Sequence, residues 1–158
     1  MATHPRVAVK ACHASSKTFT AAELVLWWLT RRKNSIVLTT SPTGRQVEAQ
    51  LWGEIRKTLA ASPRINYPPT NLASFKLSED RWAIGFSTSP EHAGVNLQGF
   101  HGARVLVIID EATGVDGPIW DAIEGARAGG EVRQLVLCNP VVPSGPIYEI
   151  FTRQRAQW

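Results

Sequence analysis

Apolar positions in the first half of the chain follow two alternating spacings. Residues 6–10 and 34–40 are short β-prone runs, whereas residues 17–29 carry apolar side chains at helical spacing. In residues 43–61 an apolar side chain recurs at every fourth position, at Val47, Leu51, Ile55 and Leu59. This alternation predicts two successive units, each made of a strand followed by a helix.

Two uninterrupted apolar runs occupy the second half of the chain. Residues 105–109 and 134–138 have the composition of strands buried on both faces, so we predict that both are central strands of a sheet. Helical patterns follow at residues 117–128, with Pro118 in the first turn, and at residues 145–155. The second half therefore repeats the order of strand and helix.

A hairpin is predicted between the two halves, because residues 73–77 and 82–87 are β-prone runs that flank a short polar turn. Since strands elsewhere alternate with helices, the sequence predicts an α/β fold. We expect a mainly parallel sheet flanked by helices, with the β-hairpin as an insertion. The length of 158 residues fits one domain.

Charge and composition narrow the possible functions. Seventeen Lys and Arg against thirteen Asp and Glu give a formal net charge of +4, which favours polyanionic partners such as nucleic acid. The basic residues are scattered, and each cluster is more simply interpreted as a solvated helix end. No apolar run reaches the ~18 residues of a membrane span. Cys12 and Cys138 lack the spacing of a zinc site or a disulfide framework, so we expect a cytoplasmic protein without a membrane segment.

The segment between the first strand and the first helix has the composition of a phosphate-binding loop. A nucleoside-triphosphate site needs backbone N–H groups around the phosphates, a lysine to neutralise them and a hydroxyl group for Mg²⁺, usually as G-x-x-x-x-G-K-[ST]. The corresponding residues are Ala11, Cys12, His13, Ala14, Ser15, Ser16, Lys17 and Thr18. Lys17 and Thr18 match, whereas Ala11 and Ser16 replace glycines, which predicts weakened nucleotide binding. Taken alone, the segment would be an ordinary helix start.

The apolar run at residues 105–109 leads directly into two carboxylates, Asp110 and Glu111. An aspartate at this position can support Mg²⁺, and the following glutamate can orient and activate the attacking water in phosphoryl transfer. The simpler alternative is a strand that ends in two solvated acids. We favour the functional interpretation because the aliphatic run continues without interruption up to Asp110.

Two further polar residues are candidates for the same site. Asn139 follows the strand at residues 134–138, where its amide could sense the γ-phosphate, although Asn-Pro alone is only a turn signal. His13 lies inside the phosphate loop and could contact a phosphate, but we favour a side chain that faces solvent.

The order of these motifs resembles the ATPase domain of the large terminase subunit of tailed phages, the motor that pumps DNA into proheads. The resemblance also rests on residues 40–43, 97–101, 109–112 and 138–140, and on Gln46, Val47, Leu51, Trp52, Ser144, Gly145 and Tyr148. It implies a P-loop NTPase of the ASCE type that uses ATP and Mg²⁺. The implied partners are double-stranded DNA bound without sequence preference, further copies in a homo-oligomeric ring, the small terminase subunit and the portal.

The resemblance also implies residue roles. Lys17 and Thr18 would bind phosphate and metal, Asp110 would support the metal, Glu111 would activate water, and Asn139 would couple hydrolysis to movement. Lys17, Glu111 and Asn139 are therefore the catalytic candidates.

Several features depart from the family. Where the family often has an arginine before the acidic strand, this chain has Gln98, and we expect Arg45 or Arg104 to substitute. An adenine-binding segment before the loop and the nuclease motifs of the family are not apparent. We therefore expect no DNA cleavage and interpret residues 1–158 as a single, incomplete ATPase domain. Two alternatives remain open: a catalytically impaired remnant that binds nucleotide or DNA, and a helicase-like P-loop ATPase.

Overall fold

The computed structural model describes residues 4–62, 65, 72–88, 103–127 and 130–158, and its core is a six-stranded sheet. The strands are β1 (Arg6–Lys10), β2 (Ser35–Ser41), β3 (Ser74–Ser78), β4 (Arg81–Ser87), β5 (Arg104–Ile109) and β6 (Glu131–Cys138). Their order across the sheet is β1-β6-β5-β2-β4-β3. Every pair is parallel except β3 with β4. The predicted α/β class and the central positions of β5 and β6 are confirmed.

The predicted hairpin forms and joins the main sheet. β4 pairs in parallel with β2 along its whole length, and β3 adds the antiparallel edge strand. The hairpin insertion thus widens the sheet at the end farthest from β1.

Four α-helices within the described residues cover the sheet: α1 (Lys17–Arg31), α2 (Trp52–Ala60), α3 (Gly117–Ala126) and α4 (Gly145–Phe151). A segment with π-helical hydrogen bonding, Gln46–Leu51, runs directly into α2. The helix predicted at residues 43–61 therefore forms as a continuous helical segment, but its first part is a π-helix and its second part an α-helix. The predicted end of the last helix at residue 155 is wrong. α4 ends at Phe151, because the N–H groups of Thr152, Arg153 and Gln154 all donate to the Glu149 carbonyl oxygen and the helical hydrogen-bond pattern stops there.

Apolar side chains fill both faces of the sheet, as expected for a parallel sheet with helices on each side. One face packs against α1 and α2, and its buried side chains include Val25, Leu29, Trp52, Ile55, Leu106 and Leu137. The other packs against α3 and α4, with Val107, Ile109, Ile123, Val136, Ile147 and Ile150. None of the helices in the described ranges is both long enough and apolar enough to cross a membrane.

Parallel pairing brings the carboxyl ends of β1, β6, β5 and β2 to one edge of the sheet. The phosphate loop, Asn139, Asp110 and the turn at Pro42 follow these four strands in that order across the edge. Because β6 separates β1 from β5, Asn139 lies between the phosphate loop and the acidic pair. Residues 97–101, including Gln98, lie outside the described residues.

Candidate nucleotide-binding site

The phosphate loop, residues 11–18, folds around the amino group of Lys17. Lys17 Nζ donates to the carbonyl oxygens of Ala11 at 3.1 Å and Cys12 at 2.7 Å, and lies 3.4 Å from Ser15 Oγ. The Ser15 hydroxyl group donates to the Cys12 carbonyl oxygen at 2.8 Å. The lysine thus faces the concave side of the loop, where phosphate oxygens bind in a loop of this kind.

Only one of the two missing glycines concerns backbone conformation. Ser16 has φ 62° and ψ 20°, in the left-handed region that glycine adopts without strain. Ala11 is not among the residues with positive φ, and its N–H group donates to the Cys138 carbonyl oxygen at 3.1 Å, continuing the ladder between β1 and β6. Ala14, which the motif leaves unspecified, also has a positive φ of 56°. The loop therefore keeps its bent course with side chains at its two strained positions.

Asp110 is the most buried carboxylate of the site, with 1% of its surface exposed. Its Oδ1 accepts from the Glu111 backbone N–H group at 3.0 Å, and its Oδ2 accepts from the Thr18 hydroxyl group at 3.2 Å. Burial raises the pKa of Asp110 above its ordinary value, and the two hydrogen bonds offset this effect only in part. The bond to Thr18 joins the phosphate loop to the acidic strand across 92 residues of sequence.

The Thr18 and Asp110 side chains fit a Mg²⁺ site. Neighbouring ligands of a Mg²⁺ octahedron lie about 3 Å apart, because each metal–oxygen distance is about 2.1 Å. Thr18 Oγ1 and Asp110 Oδ2 are 3.2 Å apart. Within the described ranges, Asp110 has no ion-pair partner, so a buried negative charge is left for a cation to neutralise.

Glu111 directly follows Asp110 and adopts a left-handed conformation, with φ 50° and ψ 44°. Its side chain is half-buried at the carboxyl edge of the sheet. The backbone then turns through Ala112–Gly114 and packs against the turn after β2, where a Cβ atom on Gly114 would lie 2.8 Å from Pro42 Cγ. Non-glycine residues in this conformation are uncommon and cluster at functional sites.

His13 contacts Asn139 at the mouth of the phosphate loop, where Asn139 Nδ2 lies 2.7 Å from His13 Nε2. The prediction of an exposed His13 side chain is correct. The contact of His13 with Asn139 was not predicted from the sequence. No local signal could have revealed it, because 126 residues separate the two positions.

The two arginines predicted to replace the missing one lie at opposite edges. Arg104 begins β5, where its guanidinium group donates to the Lys33 carbonyl oxygen at 2.9 Å and pairs with Glu131 at 3.4 Å. Arg104 lies six positions before Asp110 on an extended strand, a span of about 20 Å, so it is remote from the Asp110 carboxylate of the same copy. Arg45 follows β2 on the carboxyl side, and its side chain is exposed.

The turn after β2 carries the predicted match at residues 40–43 and at Gln46. Thr43 and Gln46 form a reciprocal cap: Gln46 Oε1 accepts from the Thr43 N–H group at 3.1 Å, and Thr43 Oγ1 accepts from the Gln46 N–H group at 3.2 Å. This cap fixes the start of the helical segment that carries Arg45.

Comparison with known proteins gives one partial match in sequence and several in structure. No protein-family model matches the chain. A segment of 53 residues, 34% of this chain, is 43% identical to the probable large terminase subunit of Enterobacteria phage P7, of which it covers 11%. The large terminase of bacteriophage HK97 superposes with a TM-score of 0.74 at 17% identity, over 99% of this chain and 33% of that one.

The chain has the fold of a phage large-terminase ATPase domain. The ATPase domain of the Thermus phage P74-26 large terminase superposes with a TM-score of 0.65 at 21% identity, over 92% of this chain and 63% of that one. The large terminase of a thermophilic bacteriophage, solved in complex with ADP, gives a TM-score of 0.70 at 12% identity over 96% of this chain. These matches confirm the resemblance inferred from the motifs. The chain spans about a third of the length of the HK97 large terminase.

Proposed function

We propose that this chain binds MgATP and hydrolyses it as the ATPase unit of a terminase-like DNA-packaging motor. The observation that carries the proposal is the hydrogen bond between Thr18 and Asp110, because it places a phosphate-loop hydroxyl group against the carboxylate of the acidic strand. A relative with the same fold was solved with ADP, which supports nucleotide as the ligand class.

Each candidate residue has a distinct task in this proposal. Lys17 Nζ donates to the carbonyl oxygens of Ala11 and Cys12 in the nucleotide-free chain. When nucleotide binds, the amino group releases these oxygens and donates to phosphate oxygens instead. Thr18 and Asp110 hold Mg²⁺, which when bound neutralises charge on the transferred phosphoryl group. Glu111 orients and deprotonates the attacking water.

Asn139 is the proposed sensor of the γ-phosphate, since it lies between the phosphate loop and the acidic pair. Arg45 is the proposed source of the additional positive charge. Its exposed position on the carboxyl edge suits a neighbouring copy in a homo-oligomeric ring, where it would act on that copy's nucleotide.

DNA is the proposed polyanionic partner, bound through phosphates without sequence preference. A basic patch lies at the opposite edge of the sheet, where α1 ends and β5 and β6 begin. It comprises Arg31, Arg32, Lys33, Arg104 and Arg133, with Glu131 as the acid that pairs with three of them. The small terminase subunit and the portal remain proposed partners, which rest on the family resemblance alone.

Two other functions use the same fold. The strained Ser16 favours an impaired remnant that binds nucleotide weakly and does not turn it over. A helicase-like ATPase would share the loop and the acidic strand but would separate DNA strands.

Binding of MgATP and release of phosphate distinguish these functions. We expect the native chain to bind MgATP, Lys17→Ala to abolish binding, and Glu111→Gln to bind but release no phosphate. If only Ser16→Gly binds MgATP, the remnant is correct and the ATPase proposal is wrong. Strand separation of a forked duplex by the native chain would favour the helicase-like function.

A further inference from the structure

The phosphate loop is joined to the end of β6 at two points. The first is the backbone hydrogen bond from Ala11 to Cys138. The second is the side-chain contact between His13 and Asn139. Cys12, His13 and Ala14 are exposed, so the contact with Asn139 is what ties the outer part of the loop to β6.

The geometry of this contact assigns a tautomer to the histidine. Because an amide nitrogen can only donate, an Asn139 Nδ2 atom 2.7 Å from His13 Nε2 requires Nε2 to accept. The contact in this orientation corresponds to the tautomer with the ring proton on Nδ1. This assignment makes the contact directly measurable.

The position of the contact suggests what it does. After Asn139 the backbone runs through residues 140–144 without regular structure and then enters α4, whose Ile147 and Ile150 side chains are buried in the core. Asn139 therefore lies between the loop that would hold the phosphates and a helix packed on the sheet. A change in the loop would reach α4 through Asn139.

We propose that His13 is a positioning residue that holds the Asn139 amide at the mouth of the phosphate loop, so that the end of β6 responds to the nucleotide in the loop. The inference rests on the proposed ATPase function. It assigns His13 no contact with the reacting atoms, because its partner is the Asn139 side chain.

Steady-state ATP hydrolysis tests the role of His13. His13→Ala should lower kcat about tenfold, the usual effect of losing one hydrogen bond, while KM and the affinity for MgADP change less than about threefold. His13→Gln should retain most of the activity, because its side-chain oxygen can still accept from Asn139. His4→Ala, which removes an exposed histidine ahead of β1, is the matched control and should change nothing.

A double-mutant cycle separates a direct link from two independent effects. Asn139→Ala and the double variant His13→Ala/Asn139→Ala should have the same kcat, because the histidine acts only through the amide. Additive losses, an unchanged kcat in His13→Ala, or an equal loss in His13→Gln would each overturn the proposal.

The nitrogen chemical shifts of His13 in the nucleotide-free chain test the contact without any turnover. We expect the Nδ1–H tautomer in the native chain and a shift toward Nε2–H in Asn139→Ala. An Nε2–H tautomer that is insensitive to Asn139→Ala would refute the contact. A chain that binds no MgATP but shows the expected tautomer would refute the proposed function and leave the contact established, so the two failures are distinguishable.

Discussion

Ser16 holds a left-handed conformation at the point where the phosphate loop enters α1. Its side chain makes no capping hydrogen bond, while its carbonyl oxygen accepts from the Thr20 N–H and hydroxyl groups at 2.9 Å each. Among the described residues, the Ser16 side chain therefore contributes strain without a compensating hydrogen bond. Glycine would keep the carbonyl interactions and remove the clash of Cβ with the backbone.

Ser16→Gly is expected to raise the free energy of unfolding by about 0.5–1 kcal/mol, measured by chemical denaturation. We also expect tighter binding of MgATP, because the loop reaches its bent course without strain. Ser15→Gly is the matched comparison, since Ser15 has no positive φ and its hydroxyl group bonds the Cys12 carbonyl oxygen. A gain from Ser15→Gly equal to that from Ser16→Gly would contradict the strain argument.

Asp110 lowers the stability of the folded chain, although it is a proposed ligand of Mg²⁺. Because burial raises its pKa, the folded chain binds a proton at Asp110 more readily than the unfolded chain does. Above the raised pKa the carboxylate is ionised in both states, and its charge costs more in the folded chain. As the pH falls through the raised pKa, Asp110 of the folded chain takes up a proton. The destabilisation caused by its buried charge then decreases, and it is gone once the pH lies below the ordinary carboxyl pKa.

Asp110→Asn should therefore melt at a higher temperature than the native chain at pH 7 without nucleotide or Mg²⁺. The margin should shrink as the pH is lowered into the acid range, which scanning calorimetry at several pH values can follow. Asp121→Asn, which removes an exposed carboxylate of α3, should show no such margin. In Mg²⁺ and ATP the order should reverse, because the charged carboxylate binds the metal more strongly than a neutral amide oxygen does. No reversal would argue against Asp110 as a ligand.

At the scale of elements, the segment Gln46–Leu51 and α2 are fixed to the sheet by one buried tryptophan. Trp52 is fully buried, and its Nε1–H group donates to Thr39 Oγ1 at 2.9 Å. Gly85 on β4 leaves room for this ring, because a Cβ atom there would lie 2.2 Å from Trp52 Nε1 and 2.7 Å from Val47 Cγ1. The absence of a side chain at Gly85 thus allows the helical segment to pack closely on the sheet.

Gly85→Ala should lower the free energy of unfolding by about 2–4 kcal/mol, because the indole must move and lose a buried hydrogen bond. Gly125→Ala provides the control within α3, where a Cβ atom meets nothing within 4 Å. Alanine there should stabilise the chain by about 0.5–1 kcal/mol through helix propensity. Denaturant titration of both variants measures the difference, and equal effects would refute the role of the close approach.

The elements that were predictable from sequence are those whose signal is local. The apolar runs of β5 and β6 identified the central strands, and the Lys17-Thr18 and Asp110-Glu111 pairs identified one edge of the sheet. Contacts between distant segments carried no such signal. Examples are the pairing of β4 with β2, the contact of His13 with Asn139, and the packing of Gly114 on Pro42.

Arg104 shows why proximity along the chain could not identify the residues that share a site. It stands close to Asp110 in sequence, but strand geometry carries the two to opposite edges. Arg45 could be placed on the carboxyl edge only once the course of β2 was known.

At the scale of the whole molecule, α1 connects the phosphate loop with the basic patch. It begins at Lys17 in the phosphate loop and ends at Arg31 in the basic patch, and its 15 residues span about 22 Å. Its inner face is buried along its length, so α1 is packed on the sheet as one rigid element. The Arg32 guanidinium group lies 4.5 Å from the ring centroid of Trp28, which fixes the patch to the end of this helix.

The basic patch predicts how binding of duplex DNA depends on salt. Arg31 and Lys33 are exposed, and no ion pair holds them within the described part of the chain. If both contact phosphates, Arg31→Ala/Lys33→Ala should flatten the slope of log K against log salt concentration by about 2 and weaken binding equally across sequences. Lys76→Ala is the control, because Lys76 on β3 already pairs with Glu79 in the turn after β3 at 2.7 Å. Its loss should leave the slope nearly unchanged. Equal slopes in the native chain and the double variant would place the DNA contacts elsewhere.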